Sequence, residues 1–112
     1  MAFENMRAAI ERRAKPRIRA VGPAMVRAVD PVQGRVEEDG TLENLSATGL
    51  YLLLGRQVPP GSSLFVLFRF SQVFEGQNQA PRIAVRGTVV RAEPKTNGTF
   101  GVAVKFRHYR FV

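Results

Sequence analysis

Apolar and polar residues alternate through six segments of this chain, and alternation with a period of two is typical of half-buried β-strands. Proline, glycine or polar residues separate each segment from the next, as turns require. Six short antiparallel strands are expected to form a closed or nearly closed β-barrel, because closure buries one face of the sheet and leaves no unpaired edge. The predicted strands lie at residues 24–29, 41–46, 49–54, 63–70, 82–92 and 99–106.

Short motifs predict the connections between these strands. The acidic run Glu37-Glu38-Asp39-Gly40 is expected to form a polar turn before the second strand. Pro59-Pro60-Gly61 predicts a tight turn, since proline fixes φ and glycine relaxes it. Residues 71–81 are polar and predict a loop, and Asn97-Gly98 predicts a β-hairpin.

Residues 1–19 differ in composition from the rest of the chain. Phe3, Met6 and Ile10 recur at helical spacing, which indicates either a short amphipathic helix or a frayed terminus. The same segment carries six cations and two acids. A chain of 112 residues leaves room for one domain. We expect this domain to be a barrel at residues 20–112, preceded by a flexible basic arm at residues 1–19.

The chain as a whole is strongly basic, with 17 Lys and Arg against 9 Asp and Glu and a formal net charge of +8. A surplus of this size favours a polyanionic partner, which is a nucleic acid, a nucleotide, a phosphate or an anionic membrane. Charge alone also fits a soluble basic surface with no dedicated ligand.

The sequence offers little for catalysis or metal binding. It contains no cysteine, which excludes disulfides, thiolate metal sites and cysteine nucleophiles. Its one histidine, His108, is expected on the surface, and no phosphate-binding glycine loop or metal-ligand spacing occurs. No apolar run reaches the ~18 residues that span a bilayer, and residues 1–10 lack the apolar core of a secretory signal. We expect a cytoplasmic protein that is not an enzyme, requires no cofactor, binds no metal and has no membrane span.

The first segment with binding chemistry is Arg12-Arg13-Ala14-Lys15-Pro16-Arg17. An arginine guanidinium matches a phosphate, or the O6/N7 edge of a guanine, through two parallel hydrogen bonds. Arg13 and Arg17 lie on a chain that Pro16 stiffens, and the two guanidinium groups can hold two parts of one ligand. A solvated basic tail is the alternative interpretation.

The second segment is Asn44-Leu45-Ser46-Ala47-Thr48-Gly49. In an extended strand Asn44 and Ser46 share one face, and Leu45 points to the core. Gly49 follows after a short turn, where a missing Cβ permits a sharp bend or the close approach of a ligand. A simple polar β-turn is the alternative interpretation.

Together and in this order, the two segments resemble the signature of the PilZ domain family, which is R-x-x-x-R followed after a few tens of residues by D/N-x-S-x-x-G. The resemblance extends over residues 11–106. Four further segments resemble the strands and the proline-glycine turn of the family, at residues 49–52, 58–61, 85–91 and 101–106.

The resemblance implies a six-stranded antiparallel PilZ barrel with cyclic di-GMP, a bacterial second messenger, bound across its outer surface. Arg13 and Arg17 would hold guanine edges and phosphates from the arm. From the barrel wall, Asn44, Ser46 and Gly49 would meet the guanine and the backbone. Aspartate is more common than asparagine at the position of Asn44, and an uncharged amide binds guanine N–H groups less strongly than a carboxylate does.

Two further arginines bear on the ligand that the resemblance implies. An arginine at the position of Arg12 tends to accompany two mutually stacked ligand molecules, because an extra cation offsets the added phosphate charge and can stack on a purine. Arg91 occupies the place where some members have a tryptophan that stacks on guanine. A surface or structural role fits Arg91 equally well.

The implied function is that of a stand-alone signalling receptor or adaptor. Bound ligand would order the arm and change the surface that an unidentified effector protein contacts. One alternative is a PilZ-like interaction module that does not bind the nucleotide. Another is a small barrel for single-stranded nucleic acid, which is disfavoured because only Tyr51 and Phe65, among the aromatic residues of the predicted strands, are expected to face outward.

Overall fold

The computed structural model describes residues 17–30, 34–69 and 82–112. Neighbouring strands pair antiparallel in the order β1-β2-β3-β6-β5-β4, and β4 pairs with β1 to close the barrel. The predicted all-β fold with a six-stranded antiparallel barrel is therefore confirmed. The strands are β1 (Arg17–Asp30), β2 (Gly34–Ser46), β3 (Gly49–Leu54), β4 (Ser63–Arg69), β5 (Arg82–Pro94) and β6 (Phe100–Phe111).

Some predictions concern residues outside these ranges. The possible terminal helix, the loop at residues 71–81 and the arginines Arg12 and Arg13 all lie there. β1 begins at Arg17, so residues 17–19 of the expected arm belong to a strand. The part of the chain that the structure describes contains no helix that could cross a membrane.

Every strand contributes side chains to the core, which is aliphatic except for Phe68. In β3 and β4 the alternation is unbroken, and the inward side chains of both strands are at most 5% exposed. Each Leu or Val side chain that is removed from water in this way contributes about 1.5–3 kcal/mol to the stability of the fold. The core consists of Ala24, Val26, Leu42, Leu45, Leu50, Leu52, Leu54, Val58, Leu64, Val66, Phe68, Ile83, Val85, Val89, Val102 and Val104.

A β-bulge in β2 allows two leucines of unlike parity to share the core. Leu42 and Leu45 are both buried although they are three residues apart, which a regular strand would not permit. In the pairing with β3, Leu42 lies opposite Leu52 and Asn44 lies opposite Tyr51, so Glu43 is the extra residue. The bulge resets the alternation immediately before the polar segment that begins at Asn44.

Two more bulges have the same effect between β5 and β6. Val90 is the extra residue in β5, and Arg107 is the extra residue in β6. After Arg107 the inward positions change parity, and Phe106, Tyr109 and Phe111 all pack against the core. The prediction that the last strand ends at Phe106 was wrong, because simple alternation breaks at this bulge whereas the strand itself continues.

The expected acidic turn at Glu37-Glu38-Asp39 is in fact part of β2. The β1–β2 ladder runs from Arg17 opposite Ser46 to Asp30 opposite Gly34, so it includes the acidic residues. Glu37 accepts hydrogen bonds from Arg27, with an Oε2–Nη2 distance of 2.8 Å. Glu38 accepts hydrogen bonds from the backbone of Gly55 and from the side chain of Arg56. Glu37 and Glu38 are therefore bound to neighbouring segments, and the acidic run lies within a strand.

Two of the predicted turns are confirmed. The N–H of Ser62 donates to the carbonyl oxygen of Pro59 at 3.1 Å, and Gly61 has a φ of 92°, as the third position of a type II turn requires. At the β5–β6 hairpin the N–H of Lys95 donates to the carbonyl oxygen of Thr99 at 2.8 Å, and Gly98 has a φ of 74°.

Candidate ligand-binding site

Ser46 closes the turn between β2 and β3 with its side chain. Its Oγ accepts hydrogen bonds from the N–H groups of Thr48 and Gly49, at 3.3 and 3.2 Å, and donates to the carbonyl oxygen of Gly49 at 3.2 Å. A hydroxyl has one donor and two acceptor positions, so all of its capacity is used within the turn. Ser46 therefore fixes the backbone that follows it.

Gly49 lies at the start of β3, where that strand approaches β6 closely. Its φ lies outside the left-handed region, so a turn conformation does not explain the glycine. A Cβ at this position would overlap the carbonyl oxygen of Val104 in β6. The absence of a side chain is thus required for the contact between the two strands.

Asn44 lies one residue after the bulge at Glu43 and is half-buried on the outer wall of the barrel. Leu45 is fully buried, and Asn44 and Ser46 lie to either side of it on the opposite face, as strand alternation predicted. Among the described residues, none forms a hydrogen bond with the Asn44 side chain. Its amide can therefore both donate to and accept from a ligand.

These residues line a depression of about 310 Å³ on the outer wall. Two exposed cations, Arg91 and Lys105, stand on its β5 and β6 side. The bulge at Val90 explains why the side chain of Arg91 is on the outer wall. Val89 is buried and Ala92 packs against the core, so Val90 and Arg91 between them remain outside. The lining comprises Asn44, Leu45, Ser46, Thr48, Gly49, Leu50, Tyr51, Val90, Arg91, Ala103, Val104 and Lys105.

The sequence prediction of the site did not include Lys105 or Tyr51. Lys105 reaches the depression because β6 pairs with β3, where Lys105 lies opposite Gly49. That pairing joins strands that are not consecutive in the chain, and alternation within one strand carries no information about it. Tyr51 was expected to face outward but was not assigned to a site.

Tyr51 is held in place at the edge of the depression. Its hydroxyl donates to Oε1 of Glu93 at 2.8 Å, and Nζ of Lys95 lies 5.6 Å from the ring centroid. Partial burial, followed by the hydrogen bond to Glu93, raises the pKa of Tyr51. The same hydrogen bond, followed by the charge of Lys95, lowers the pKa of Glu93. The ring lies against Gly101, where a Cβ would collide with it.

The arginine motif approaches this site through β1. Backbone pairing places Arg17 opposite Ser46 and Arg19 opposite Asn44. The end of the first motif and the polar residues of the second motif therefore lie on adjacent strands. Arg12 and Arg13 precede β1 and are outside the described residues.

The chain is therefore a small, closed six-stranded β-barrel domain with a candidate ligand site on its outer wall. The sequence matches the family model of the PilZ domain over residues 11–110, and the chain belongs to this family. PilZ is a family of cyclic di-GMP receptors, whose members act as receptors and adaptors rather than enzymes. The membership predicted from the two motifs is confirmed.

A comparison with solved structures supports the fold. The chain is similar to the Bacillus subtilis inhibitor of motility MotI/DgrA, with a TM-score of 0.62 and 19% sequence identity. The match covers 83% of this chain and 41% of MotI/DgrA, so the chain spans less than half the length of that protein. A search of curated proteins found no match.

Proposed function

We propose that this chain is a cyclic di-GMP receptor that binds the dinucleotide on the outer wall of the barrel. The observation that carries the proposal is the meeting of three elements at one depression. The second motif lines it, Arg91 and Lys105 stand beside it, and β1 brings the backbone of Arg17 opposite Ser46. Cyclic di-GMP has two phosphates and two guanines, which require cations and paired donors and acceptors respectively.

The residues of the second motif have different roles in this proposal. Asn44 contacts the guanine, because its amide can donate and accept and no described residue forms a hydrogen bond with it. Ser46 and Gly49 shape the turn and the strand approach, so that backbone N–H and C=O groups present a fixed surface to the ligand. Arg91 and Lys105 attract the phosphates, and within the described residues neither cation forms an ion pair with an acid.

The arginines of the first motif supply the remaining contacts. Arg13 and Arg17 hold guanine edges and phosphates through bidentate hydrogen bonds. Arg12 adds a cation that permits a second, stacked ligand molecule. Ligand binding orders the arm against the barrel and changes the surface that an effector protein contacts, so the chain acts as a cytoplasmic adaptor.

Titration calorimetry with cyclic di-GMP tests this proposal on the whole chain. We expect micromolar or tighter binding by the wild type, which Arg13→Ala and Arg17→Ala abolish. Arg56→Ala is the matched control, because Arg56 lies next to Glu38, away from the depression, and its loss should leave the affinity unchanged. The stoichiometry tests Arg12, since Arg12→Ala should reduce two bound ligands to one. Wild-type protein that binds no cyclic di-GMP would refute the receptor function.

The alternative is a PilZ-type interaction module that does not bind the nucleotide. One observation favours this alternative. The Ser46 hydroxyl is fully hydrogen-bonded within the turn and Gly49 is required for the contact with β6, so both residues have structural roles that need no ligand. Calorimetry separates the two functions, since the alternative predicts no heat of binding at any ligand concentration.

A further inference from the structure

A second outer surface of the barrel is formed by described residues that include several arginines and no acid. The strands β4, β5 and β6 contain seven Arg and Lys residues, of which Arg91 and Lys105 line the depression beside Asn44. The acid in these three strands is Glu93, which is bound to Tyr51 at the edge of that depression. The acids of the barrel are concentrated in β2, on another part of the wall. We name this surface the basic face; it is formed by Phe65, Leu67, Arg82, Ala84, Arg86, Arg107, His108 and Arg110.

Strand pairing arranges the basic face in two cross-strand rows. In the first row Arg86 of β5 lies between Phe65 of β4 and His108 of β6. In the second row Ala84 lies between Leu67 and Arg110. The β4 position of both rows is thus apolar, and each row contains one arginine, Arg86 on β5 in the first row and Arg110 on β6 in the second.

The rows line a groove of about 610 Å³, in which Phe65, Leu67 and Ala84 form an apolar floor. The cationic rim of this groove consists of Arg82, Arg86 and Arg110. A neighbouring hollow of about 540 Å³ shares Phe65 and Arg86 and adds Arg35 and Arg107. The floor is partly covered, since Ala84 is 8% exposed and Phe65 and Leu67 are half-buried. The geometry is therefore an apolar strip beside a cationic rim, which suits an extended or helical segment.

The cations of the rim are exposed to solvent. Arg82, Arg86, Arg107 and Arg110 are exposed, and the described residues give none of them an acidic partner. Neighbouring like charges repel one another. An anionic partner that binds across these arginines would offset the repulsion, and the opposite charges would also increase the rate of association.

The small number of aromatic rings on the face favours a protein partner over a nucleic acid. Single-stranded nucleic acids bind by stacking bases on exposed aromatic rings. The groove contains the rings of Phe65 and His108, and the guanidinium of Arg27 already lies over the Phe65 ring at 5.5 Å from its centroid. Apolar contacts combined with arginine at the rim are characteristic of protein interfaces.

We propose that the basic face docks an acidic amphipathic segment of a partner protein. Its apolar side chains contact Phe65, Leu67 and Ala84, and its carboxylates pair with Arg82, Arg86 and Arg110. The groove is separate from the depression beside Asn44, so this docking does not depend on nucleotide binding. β6 contributes Lys105 to one surface and Arg110 to the other, with the bulge at Arg107 between them.

Fluorescence anisotropy with a synthetic peptide tests the proposal on the whole chain. The probe is a labelled helical peptide with a leucine and phenylalanine stripe flanked by glutamates. A matched peptide has glutamine in place of glutamate, and a thymidine oligonucleotide represents nucleic acid. Arg86→Glu should weaken binding of the glutamate peptide by about fivefold or more, since it removes one ion pair and adds a repulsion. Arg56→Glu makes the same charge change on another part of the wall and should have little effect.

Arg110→Glu provides a second variant in the other row and should give a similar loss. Binding of cyclic di-GMP should be unchanged in both variants, so the result is independent of the receptor function. Several outcomes would overturn the docking proposal: no binding of the glutamate peptide, equal loss in Arg56→Glu, equal affinity for the glutamine peptide, or tighter binding of the oligonucleotide through the same arginines.

Discussion

The two outer surfaces of the barrel differ in how their polar groups are satisfied. At the β2–β3 turn the Ser46 hydroxyl makes three hydrogen bonds to its own turn, and Gly49 is packed against β6. On the basic face, Arg86 and Arg110 extend into solvent and have no acidic partner among the described residues. The first surface is preorganised by the fold, whereas the second depends on charge.

Because of this difference, substitutions on the two surfaces should affect the stability of the fold and the affinity for a ligand in different ways. A substitution at the turn removes contacts that the folded protein already makes, so it should lower the free energy of unfolding as well as affinity. A substitution of an exposed arginine removes no internal partner, so it should change affinity and leave stability almost unaltered. Three predictions test this contrast, in order of decreasing effect.

Gly49→Ala should produce the largest loss of stability. The new Cβ overlaps the Val104 carbonyl oxygen, which is backbone and cannot move aside as a flexible side chain would. We expect the free energy of unfolding to fall by about 2–3 kcal/mol in urea titrations. Gly22→Ala is the control, because a Cβ there meets no atom within 4 Å and its φ is compatible with alanine. Equal stability of the two variants would show that β3 and β6 do not require this close approach.

Ser46→Ala should have an intermediate effect. The variant loses the hydrogen bonds that close the turn, which leaves the N–H groups of Thr48 and Gly49 to water. A loss of about 1–2 kcal/mol in the free energy of unfolding is expected. Ser63→Ala, at an exposed position in β4, should change stability by less than about 0.5 kcal/mol. If Ser46→Ala weakened ligand binding and left stability intact, Ser46 would act through direct contact with the ligand instead.

The parts of this fold that the sequence predicted are those that local alternation determines. β3 was predicted with the bounds that it has, and the turns at Gly61 and Gly98 follow from residues within the turns themselves. The first half of β2 was missed because its residues are polar and charged. That segment is held by pairing with β1 and by ion pairs to Arg27 and Arg56, which are distant in sequence.

The same limit applies to the candidate site. Asn44, Ser46 and Gly49 could be found because they form a contiguous motif. Lys105 could not, because the insertion of β6 between β3 and β5 decides its neighbours. The bulges at Glu43, Val90 and Arg107 were also missed. A bulge is an extra residue that has no counterpart on the partner strand, so it can be recognised only when the pairing of the two strands is known. The net charge indicated an anionic partner but gave no location for the basic face.

Tyr51→Phe should have the smallest effect, and one that depends on pH. Hydrogen bonding from Tyr51 is the main cause that lowers the pKa of Glu93 below its ordinary value of 4.5. A carboxylate with a lowered folded-state pKa stabilises the fold above its ordinary value, and that contribution is lost as the pH falls through the folded-state pKa.

The variant should therefore have a higher Glu93 pKa and lose less stability than the wild type between neutral pH and about pH 3. Urea unfolding over this range and NMR titration of the Glu93 carboxyl group measure the two effects. Arg110→Gln on the basic face is the matched control, because it removes an exposed polar group without an acidic partner among the described residues and should retain the wild-type acid dependence. An unchanged Glu93 pKa in Tyr51→Phe would mean that the charge of Lys95, and not the tyrosine hydroxyl, sets the protonation of this group.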